Sequence, residues 1–320
     1  MKIGIVGAGA IGGWLAVGLA AAGNEVAVLA RGASLQAIRT NGLTLLHAGS
    51  TQNQRVTVSD QAAALGEQDV VIIAVKAQSL AAVANDVAGM IAAKTIVVPL
   101  QNGVPWWFLG RSGRLLSVDP QGLIEKHIPF GCLVGCVVHA AASLAAPAVI
   151  NLKMADRLII GEPQGGPSPR LTQLAVVLAA AGCDVIQSNR IQLDIWYKLW
   201  GNMTLNPVSA LTLANTTQIL SDDLLLRFMQ QVMAEAQAIG TQIGCPMTQT
   251  SEERFALTRK LGAFKTSMLQ DLEAGREIEL DALLAAPREI AARVGVSTPT
   301  IDMLFALTRA MGRCRAIYRG

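Results

Sequence analysis

The stretch KIGIVGAGAIGG, residues 2–13, decides the fold of this chain. A short apolar strand runs directly into the pattern G-x-G-x-x-G, whose glycines are Gly7, Gly9 and Gly12. In a βαβ unit the first glycine permits a tight turn, the second lets the backbone approach a pyrophosphate, and the third lets helix and strand pack closely. An apolar helical segment and a second strand, 25–29, follow where such a unit requires them. We therefore interpret the loop as a dinucleotide-binding site rather than a glycine-rich structural turn. Its residues are Gly7, Ala8, Gly9, Ala10, Ile11 and Gly12.

The end of the second strand indicates which dinucleotide binds. Folds specific for NAD end this strand with Asp or Glu, which accepts hydrogen bonds from the ribose hydroxyls. Here the strand ends VLARG, residues 28–32, with no acid within reach. Arg31 offers a planar, charged fork that fits the 2′-phosphate of NADP. This favours NADP(H) as the cofactor; the alternative is a surface arginine exposed to solvent.

Composition excludes several functional classes. A chain of 320 residues is long enough for two domains, and its 52% hydrophobic and 15% charged residues are typical of buried parallel sheet. The net charge of +3 is spread without long runs, so we expect no nucleic-acid partner. The five cysteines lack metal-ligand spacing, and the first strand begins where a leader would stand, so we expect reduced thiols, no metal and a cytoplasmic location.

The segment 128–150 requires a membrane check, because it contains no Asp, Glu, Lys or Arg and is long enough for a spanning helix. Prolines at 129 and 147 and glycines at 131 and 135 interrupt it, and β-branched residues cluster in it. We therefore predict buried strands here and no membrane association.

Two kinds of pattern divide the chain near Ser188. Before it, strands predicted at 43–46, 55–58, 69–75, 95–99, 131–139, 148–152, 158–160 and 184–186 alternate with helices near 34–40, 80–92 and 171–181. After it come helix-length segments at 190–213, 222–243, 250–274, 279–294 and 299–316. The predicted fold class is α/β: an N-terminal Rossmann-type doubly wound parallel sheet, residues 1–188, and an all-α C-terminal domain, residues 189–320. We expect the substrate cleft between these halves, beyond the carboxyl ends of the strands.

One helical segment in the second half carries an isolated polar stripe. Lys198, Asn202 and Asn206 are spaced i, i+4 and i+8, so they share one helix face among apolar neighbours. A long exposed helix would carry mixed charges instead. Because partial burial makes a lysine ammonium a better proton donor near neutrality, Lys198 is a candidate general acid. The alternative is a packing lysine that extends to solvent.

A second polar cluster lies between residues 265 and 281. Ser267 and Glu279 could reach a polar substrate. Alternatively, Glu277, Glu279 and Asp281 form the acidic start of a helix. Their spacing leaves both interpretations open.

Several motifs together cover nearly the whole chain: KIGIVGAGAIGG, Arg31, VKAQ around Lys76, QNG at Asn102, HAA at 139–141, YKLWGNMTLNPVSALT at 197–212, and SMLQD followed by EIELD. In this combination the chain resembles the ketopantoate reductase (2-dehydropantoate 2-reductase) family. The resemblance implies NADPH-dependent reduction of a 2-keto acid to its 2-hydroxy acid, in the pathway to pantothenate and coenzyme A.

The resemblance also implies residue roles. Lys198 would be the general acid, and Glu279 a carboxylate that contacts the substrate hydroxyl or the cofactor, which makes these two the catalytic pair. The implied substrate-binding residues are Lys198, Asn202, Asn206 and Ser267. The implied cofactor-binding residues beyond the glycine loop are Arg31, Lys76, Asn102, Ala141 and Glu279.

Three departures from the family pattern leave the substrate open. Phe264 and Thr216 stand where relatives carry asparagines, and Leu284-Ala285 stands where they carry Asn-Gly. The alternatives are a related NADP-dependent dehydrogenase acting on another 2-keto or 3-hydroxy acid, or a catalytically silent NADP(H)-binding sensor. The sequence does not fix the oligomeric state, and a homodimer stays open.

Overall fold

The computed structural model describes residues 1–110 and 113–320, with all side chains in these ranges except that of Asp156. The chain forms two compact units. The first consists chiefly of Met1–Gln101 and Gln121–Asp194. The second combines Ile195–Gly320 with Asn102–Phe108 and Gly113–Pro120. The domain limits at residue 188 stay a prediction.

The first unit is built around a five-stranded parallel sheet. Its strands, numbered in chain order, are β1 (Lys2–Val6), β2 (Glu25–Leu29), β5 (Thr57–Ser59), β6 (Gln68–Ile73) and β7 (Ile91–Pro99). They lie in the order β5-β2-β1-β6-β7, and all neighbours are parallel. Valine and isoleucine fill the central strands because a parallel sheet is covered on both faces. Ile3, Ile5 and Ile73, for example, are completely buried.

Helices of the first unit lie between these strands or follow the last of them. They are α1 (Ala10–Ala21), α2 (Gly32–Asn41), α3 (Ala62–Leu65), α4 (Ala77–Ala88), α5 (Leu123–His127) and α6 (Pro169–Ala180). Helix α1 is apolar nearly all round, and Leu15 and Leu19 are fully buried. The helix begins four residues after β1 ends, so its first turn lies next to the end of that strand.

A second, mixed sheet completes the first unit, and the sequence patterns did not reveal it as separate. It contains β3 (Leu43–His47), β4 (Ser50–Gln54), β8 (Gly135–Ala146), β9 (Val149–Gly161) and β10 (Val185–Ser188). Strand β8 pairs antiparallel with β9, which confirms strands rather than a spanning helix in 128–150. The strands predicted at 148–152 and 158–160 are one continuous strand. Strand β4 was missed because its sequence, STQNQ, is polar and mostly exposed.

The second unit is helical. Its elements are α7 (Ile191–Thr212), α8 (Thr216–Leu220), α9 (Asp223–Gln242), α10 (Ser251–Lys260), α11 (Ser267–Glu273), a π-helical turn (Asp281–Ala285), α12 (Ala286–Val294) and α13 (Pro299–Cys314). The single helix predicted for 250–274 is wrong. Gly262 has φ +73°, which ends a helix, and the Thr266 side chain caps a new one by accepting from Leu269 N.

Two tryptophans fix the orientation of α7. Trp196 and Trp200 are fully buried, and their indole nitrogens donate to the Ala236 and Met233 carbonyls of α9 at 3.2 and 2.8 Å. Because these side chains point toward α9, the face that carries Lys198 is turned away from that helix. Across the described ranges, no helix combines the length and apolarity needed to cross a bilayer.

Candidate active site

The glycine turn after β1 has the geometry of a phosphate-binding loop. Gly7 has φ +102°, and a Cβ atom on Gly12 would lie 2.1 Å from the Gly7 carbonyl oxygen, so both positions require glycine. Gly9 has no atom within 4 Å of its missing side chain, and it precedes α1 without a side-chain cap. The open space and the uncapped N–H groups of the first turn fit a pyrophosphate.

Strand order brings three of the predicted cofactor-binding segments to one edge of the parallel sheet. Since β2, β1 and β6 are parallel neighbours, their carboxyl ends lie side by side. Arg31, the glycine turn and Lys76 follow these three ends in that order, and Lys76 precedes the first turn of α4. Ala141 lies further along: β8 starts beside β7 through a parallel bridge between Val97 and Leu133, then continues past the end of β7. There Ala141 is exposed.

Arg31 has a partner that the sequence did not indicate. One guanidinium nitrogen donates to Asp86 Oδ2 on α4 at 2.8 Å, and the two side chains are 61% and 29% exposed. Among the described residues Arg31 makes no other side-chain hydrogen bond, so most of its fork remains available. A bound phosphate would share or replace the Asp86 contact.

Gln101 was overlooked in the sequence, although it stands in the QNG motif directly after β7. Its Nε2 donates to the Ile73 and Val75 carbonyls at 3.2 and 3.0 Å, just beyond the end of β6. A Cβ atom on Gly7 would meet a methyl of the same Val75 at 2.8 Å. Gln101 therefore braces the loop next to the glycine turn. The signal for this role in the sequence was a glutamine that closely follows a buried strand.

Three side chains from distant segments of the second unit form a hydrogen-bonded group. Lys198 Nζ donates to Asn102 Oδ1 at 2.8 Å, and Asn102 Nδ2 donates to Glu279 Oε2 at 3.5 Å. All three are partly buried. We call Lys198, Asn102 and Glu279 the lysine group. The ammonium can donate a proton, the carboxamide can orient the ammonium, and the carboxylate can balance its charge.

The backbone beside Asn102 explains the glycine of the QNG motif. Gly103 has φ +81°, and a Cβ there would lie 2.4 Å from the Ala282 carbonyl oxygen of the π-helical turn. The next residue, Val104, donates its N–H to the same oxygen at 2.8 Å. This close approach holds Asn102 beside the segment that carries Glu279.

The segment around Glu279 is fixed on the other side by the C-terminal tail. The Tyr318 hydroxyl donates to Asp281 Oδ1 at 2.5 Å, and Ile278 N donates to the Ile317 carbonyl at 3.0 Å. Burial raises the pKa of the Asp281 carboxyl, and the Tyr318 hydrogen bond opposes that rise. The pKa of Tyr318 is likewise raised by burial and by its bond to Asp281. Asp281 thus serves as a structural anchor rather than as part of an exposed acidic helix start.

The remaining stripe residues, Asn202 and Asn206, lie on the same face of α7 as Lys198. Asn202 is partly buried and Asn206 is 6% exposed, yet within the described chain neither side chain makes a hydrogen bond. Both carboxamides can therefore bind a ligand or water. Ser267 is exposed at the first turn of α11, and no hydrogen bond within the described ranges links it to the lysine group.

The three departures differ in what they offer a ligand. Thr216 is fully buried; its Oγ1 donates to the Gly262 carbonyl and accepts from Phe264 N, at 2.9 and 3.0 Å. Leu284 is also fully buried and belongs to the core. Only Phe264, 37% exposed, presents a side chain to a surface.

Two family models match the chain. The model described as "Ketopantoate reductase PanE/ApbA" matches residues 3–165, and the one described as "Ketopantoate reductase PanE/ApbA C terminal" matches residues 190–312. The chain belongs to the ketopantoate reductase family. The resemblance drawn from the motifs is confirmed, as is the expectation of an NADP-dependent oxidoreductase.

Individual relatives agree with this placement of the chain among the ketopantoate reductases. A Mesorhizobium japonicum protein named 2-dehydropantoate 2-reductase is 41% identical over 99% of this chain and 100% of its own length. A crystal structure from Ralstonia solanacearum MolK2, provisionally named a ketopantoate reductase, is 51% identical with TM-score 0.96 and 99% of each chain covered. A Methylococcus capsulatus 2-dehydropantoate 2-reductase is 26% identical with TM-score 0.85, covering 99% and 98%. The α/β fold class is confirmed, whereas the site roles stay predictions.

Proposed function

We propose that this ketopantoate reductase family member reduces 2-dehydropantoate (ketopantoate) to pantoate with NADPH, a step toward pantothenate and coenzyme A. The Mesorhizobium japonicum relative supports the substrate. The observation that carries the proposal is the lysine group, in which Lys198 Nζ donates to Asn102 Oδ1 at 2.8 Å. Cytoplasmic location and a homodimer remain predictions.

The edge of the parallel sheet would hold the cofactor. The pyrophosphate would lie on the N–H groups of the Gly7–Gly12 loop, and Arg31 would bind the 2′-phosphate. NADPH, when bound, supplies the hydride. The further residues assigned to cofactor binding are Lys76, Asn102, Ala141 and Glu279.

Lys198 would act on the oxygen of the reacting carbonyl. As C2 is reduced, negative charge develops on this oxygen, and a nearby ammonium both stabilises the charge and donates a proton. The hydrogen bond to Asn102 orients the Lys198 ammonium, which would donate to the reacting oxygen when substrate is bound. Asn102 also connects the ammonium to Glu279, which keeps a negative charge near the donor.

The stripe on α7 would hold the substrate in position. Asn202 and Asn206 make no side-chain hydrogen bond to any other described residue, so their carboxamides could bind a carboxylate, carbonyl or hydroxyl oxygen. Ser267 offers an exposed hydroxyl for the same purpose. Fixing the acid in this way keeps its carbonyl in reach of both hydride and proton donor.

One observation favours a second candidate, a reductase of a 2-keto acid with a more apolar side chain. Phe264 presents an aromatic ring where relatives carry an asparagine, and Thr216 uses its hydroxyl within the protein. Both changes remove polar partners for a substrate hydroxyl.

Oxidation of NADPH by the purified chain, with ketopantoate and a panel of branched 2-keto acids, tests these proposals. We expect the highest kcat/KM with ketopantoate. A higher value with an acid lacking the hydroxymethyl group would establish the second candidate instead. Tight NADPH binding without turnover of any acid would identify a cofactor sensor and exclude both.

A further inference from the structure

Arg254 packs on helix α7 without a carboxylate partner among the described residues. Arg254 of α10 rests on α7 at Gly201, three residues after Lys198 and next to Asn202. A Cβ atom on Gly201 would lie 2.7 Å from both Nε and Nη2 of Arg254, so only glycine admits the guanidinium here. Because residues three apart on a helix are surface neighbours, Arg254 packs on α7 within one helical turn of the position of Lys198.

No carboxylate in the described part of the chain forms an ion pair with Arg254. Within the described ranges its partners are the Tyr197 hydroxyl, 3.5 Å from Nη1, and the Tyr197 ring, whose centroid lies 4.9 Å away. Its Nε is buried and has no hydrogen-bond partner.

The acids that precede Arg254 on α10 are engaged elsewhere. Glu252 pairs with Arg259 at 2.7 Å, and Glu253 accepts from the N–H and hydroxyl of Thr250. A partly buried cation without a carboxylate is costly to folding unless an anion binds it.

We propose that Arg254 binds the carboxylate of the 2-keto acid substrate; this inference rests on the proposed function. A planar guanidinium is the side chain best suited to a planar carboxylate. Placed one helical turn from the proton donor, it would hold the acid by its carboxylate. The adjoining carbonyl could then meet Lys198. The Tyr197 ring stabilises the guanidinium through a cation–π contact.

The test compares Arg254→Leu and Arg254→Lys with Arg259→Leu, a control that removes an exposed arginine from the same helix. For Arg254→Leu we expect KM for the keto acid to rise about 10–100-fold, the range for a charged hydrogen bond, while KM for NADPH is unchanged. KM for the keto acid in Arg254→Lys should lie between those of Arg254→Leu and the wild type, because lysine keeps the charge but not the planar guanidinium. The control should match the wild type.

Gly201→Ala is a second, independent probe. The added methyl should displace the flexible end of Arg254 and raise KM for the keto acid, while the alanine favours the helix. In the double variant Gly201→Ala/Arg254→Leu, we expect no rise beyond that of Arg254→Leu, because both changes remove the same contact. An unchanged KM in both single variants would overturn the proposal, as would an equal rise in Arg259→Leu.

Oxalate binding to the NADPH-loaded protein separates this inference from the proposed function. Oxalate mimics a 2-keto carboxylate, and calorimetry follows it without turnover. We expect weaker oxalate binding in Arg254→Leu even if ketopantoate proves not to be the substrate. Equal affinity in Arg254→Leu and wild type would refute the role of Arg254 and leave the proposed reaction intact.

Discussion

The cofactor edge and the lysine group are built in different ways. At the edge, the binding site consists mainly of backbone: Gly7 with positive φ, Gly12 without room for a side chain, and the uncapped N–H groups at the start of α1. In the lysine group, chemistry depends on side chains separated by 96 and 177 residues in the chain. We infer that substitutions at the edge change cofactor affinity, whereas substitutions in the lysine group change turnover.

The sharpest contrast should come from Lys198→Ala. Loss of a general acid lowers kcat by about 10²–10⁴-fold. The dissociation constant of NADPH should stay unchanged, because the glycine turn and Arg31 lie in the other unit. Steady-state kinetics and fluorescence titration of NADPH measure the two effects. Lys260→Ala, at the exposed end of α10, is the matched control, and unchanged turnover in Lys198→Ala would remove the proposed acid.

Asn102→Ala tests whether the ammonium must be held in place. With the 2.8 Å contact to Lys198 lost, we expect kcat to fall about 10²-fold, the loss typical of a misplaced catalytic group. Asn102→Asp restores an oxygen acceptor and should recover part of the rate. If Asn102→Ala instead weakened only NADPH binding, Asn102 would belong to the cofactor edge rather than to the lysine group.

Arg31→Ala probes the edge alone. Removal of a charged hydrogen bond should weaken NADPH by about 1.5–3 kcal/mol and leave NADH nearly unaffected. Titration with both cofactors measures the difference, and Arg39→Ala, on the exposed side of α2, serves as control. Equal losses for NADPH and NADH would refute the 2′-phosphate role.

The smallest effect should come from Asp86→Asn. In the free protein Asp86 accepts from Arg31 at 2.8 Å, and both are solvent-exposed, so their pair contributes at most about 1 kcal/mol. Removing the carboxylate frees the arginine and removes a negative charge near the phosphate, so NADPH should bind up to about fivefold more tightly. The gain should shrink at high salt, since exposed charges are screened. Weaker NADPH binding would show that Asp86 orients the Arg31 guanidinium for the 2′-phosphate instead of competing with the phosphate for it.

The βαβ unit with its glycine turn could be predicted from the sequence because its signals are local. Glycine spacing, a preceding apolar strand and the Arg31 position lie within 31 residues, and parallel strand order then places them together. The polar stripe on α7 was equally local, since helix periodicity alone puts Lys198, Asn202 and Asn206 on one face.

What failed depended on tertiary packing. The hydrogen bonds that join Lys198, Asn102 and Glu279 cannot be deduced from spacing, although family resemblance assigned roles to all three. The sequence did not point to Arg254, because its position depends on the missing side chain of Gly201 in another helix. The second sheet was hidden because β9 is a single strand that the apolar pattern divides in two.

Chemical rescue of Lys198→Ala tests the proton donor most directly. Single-turnover oxidation of bound NADPH by ketopantoate would be followed with and without added ethylamine. We expect the amine to restore part of the lost rate in Lys198→Ala, with no effect on wild type or Lys260→Ala. If Lys198→Ala is slow, binds NADPH normally and shows no rate increase with any small amine, an ammonium at this position is not the acid.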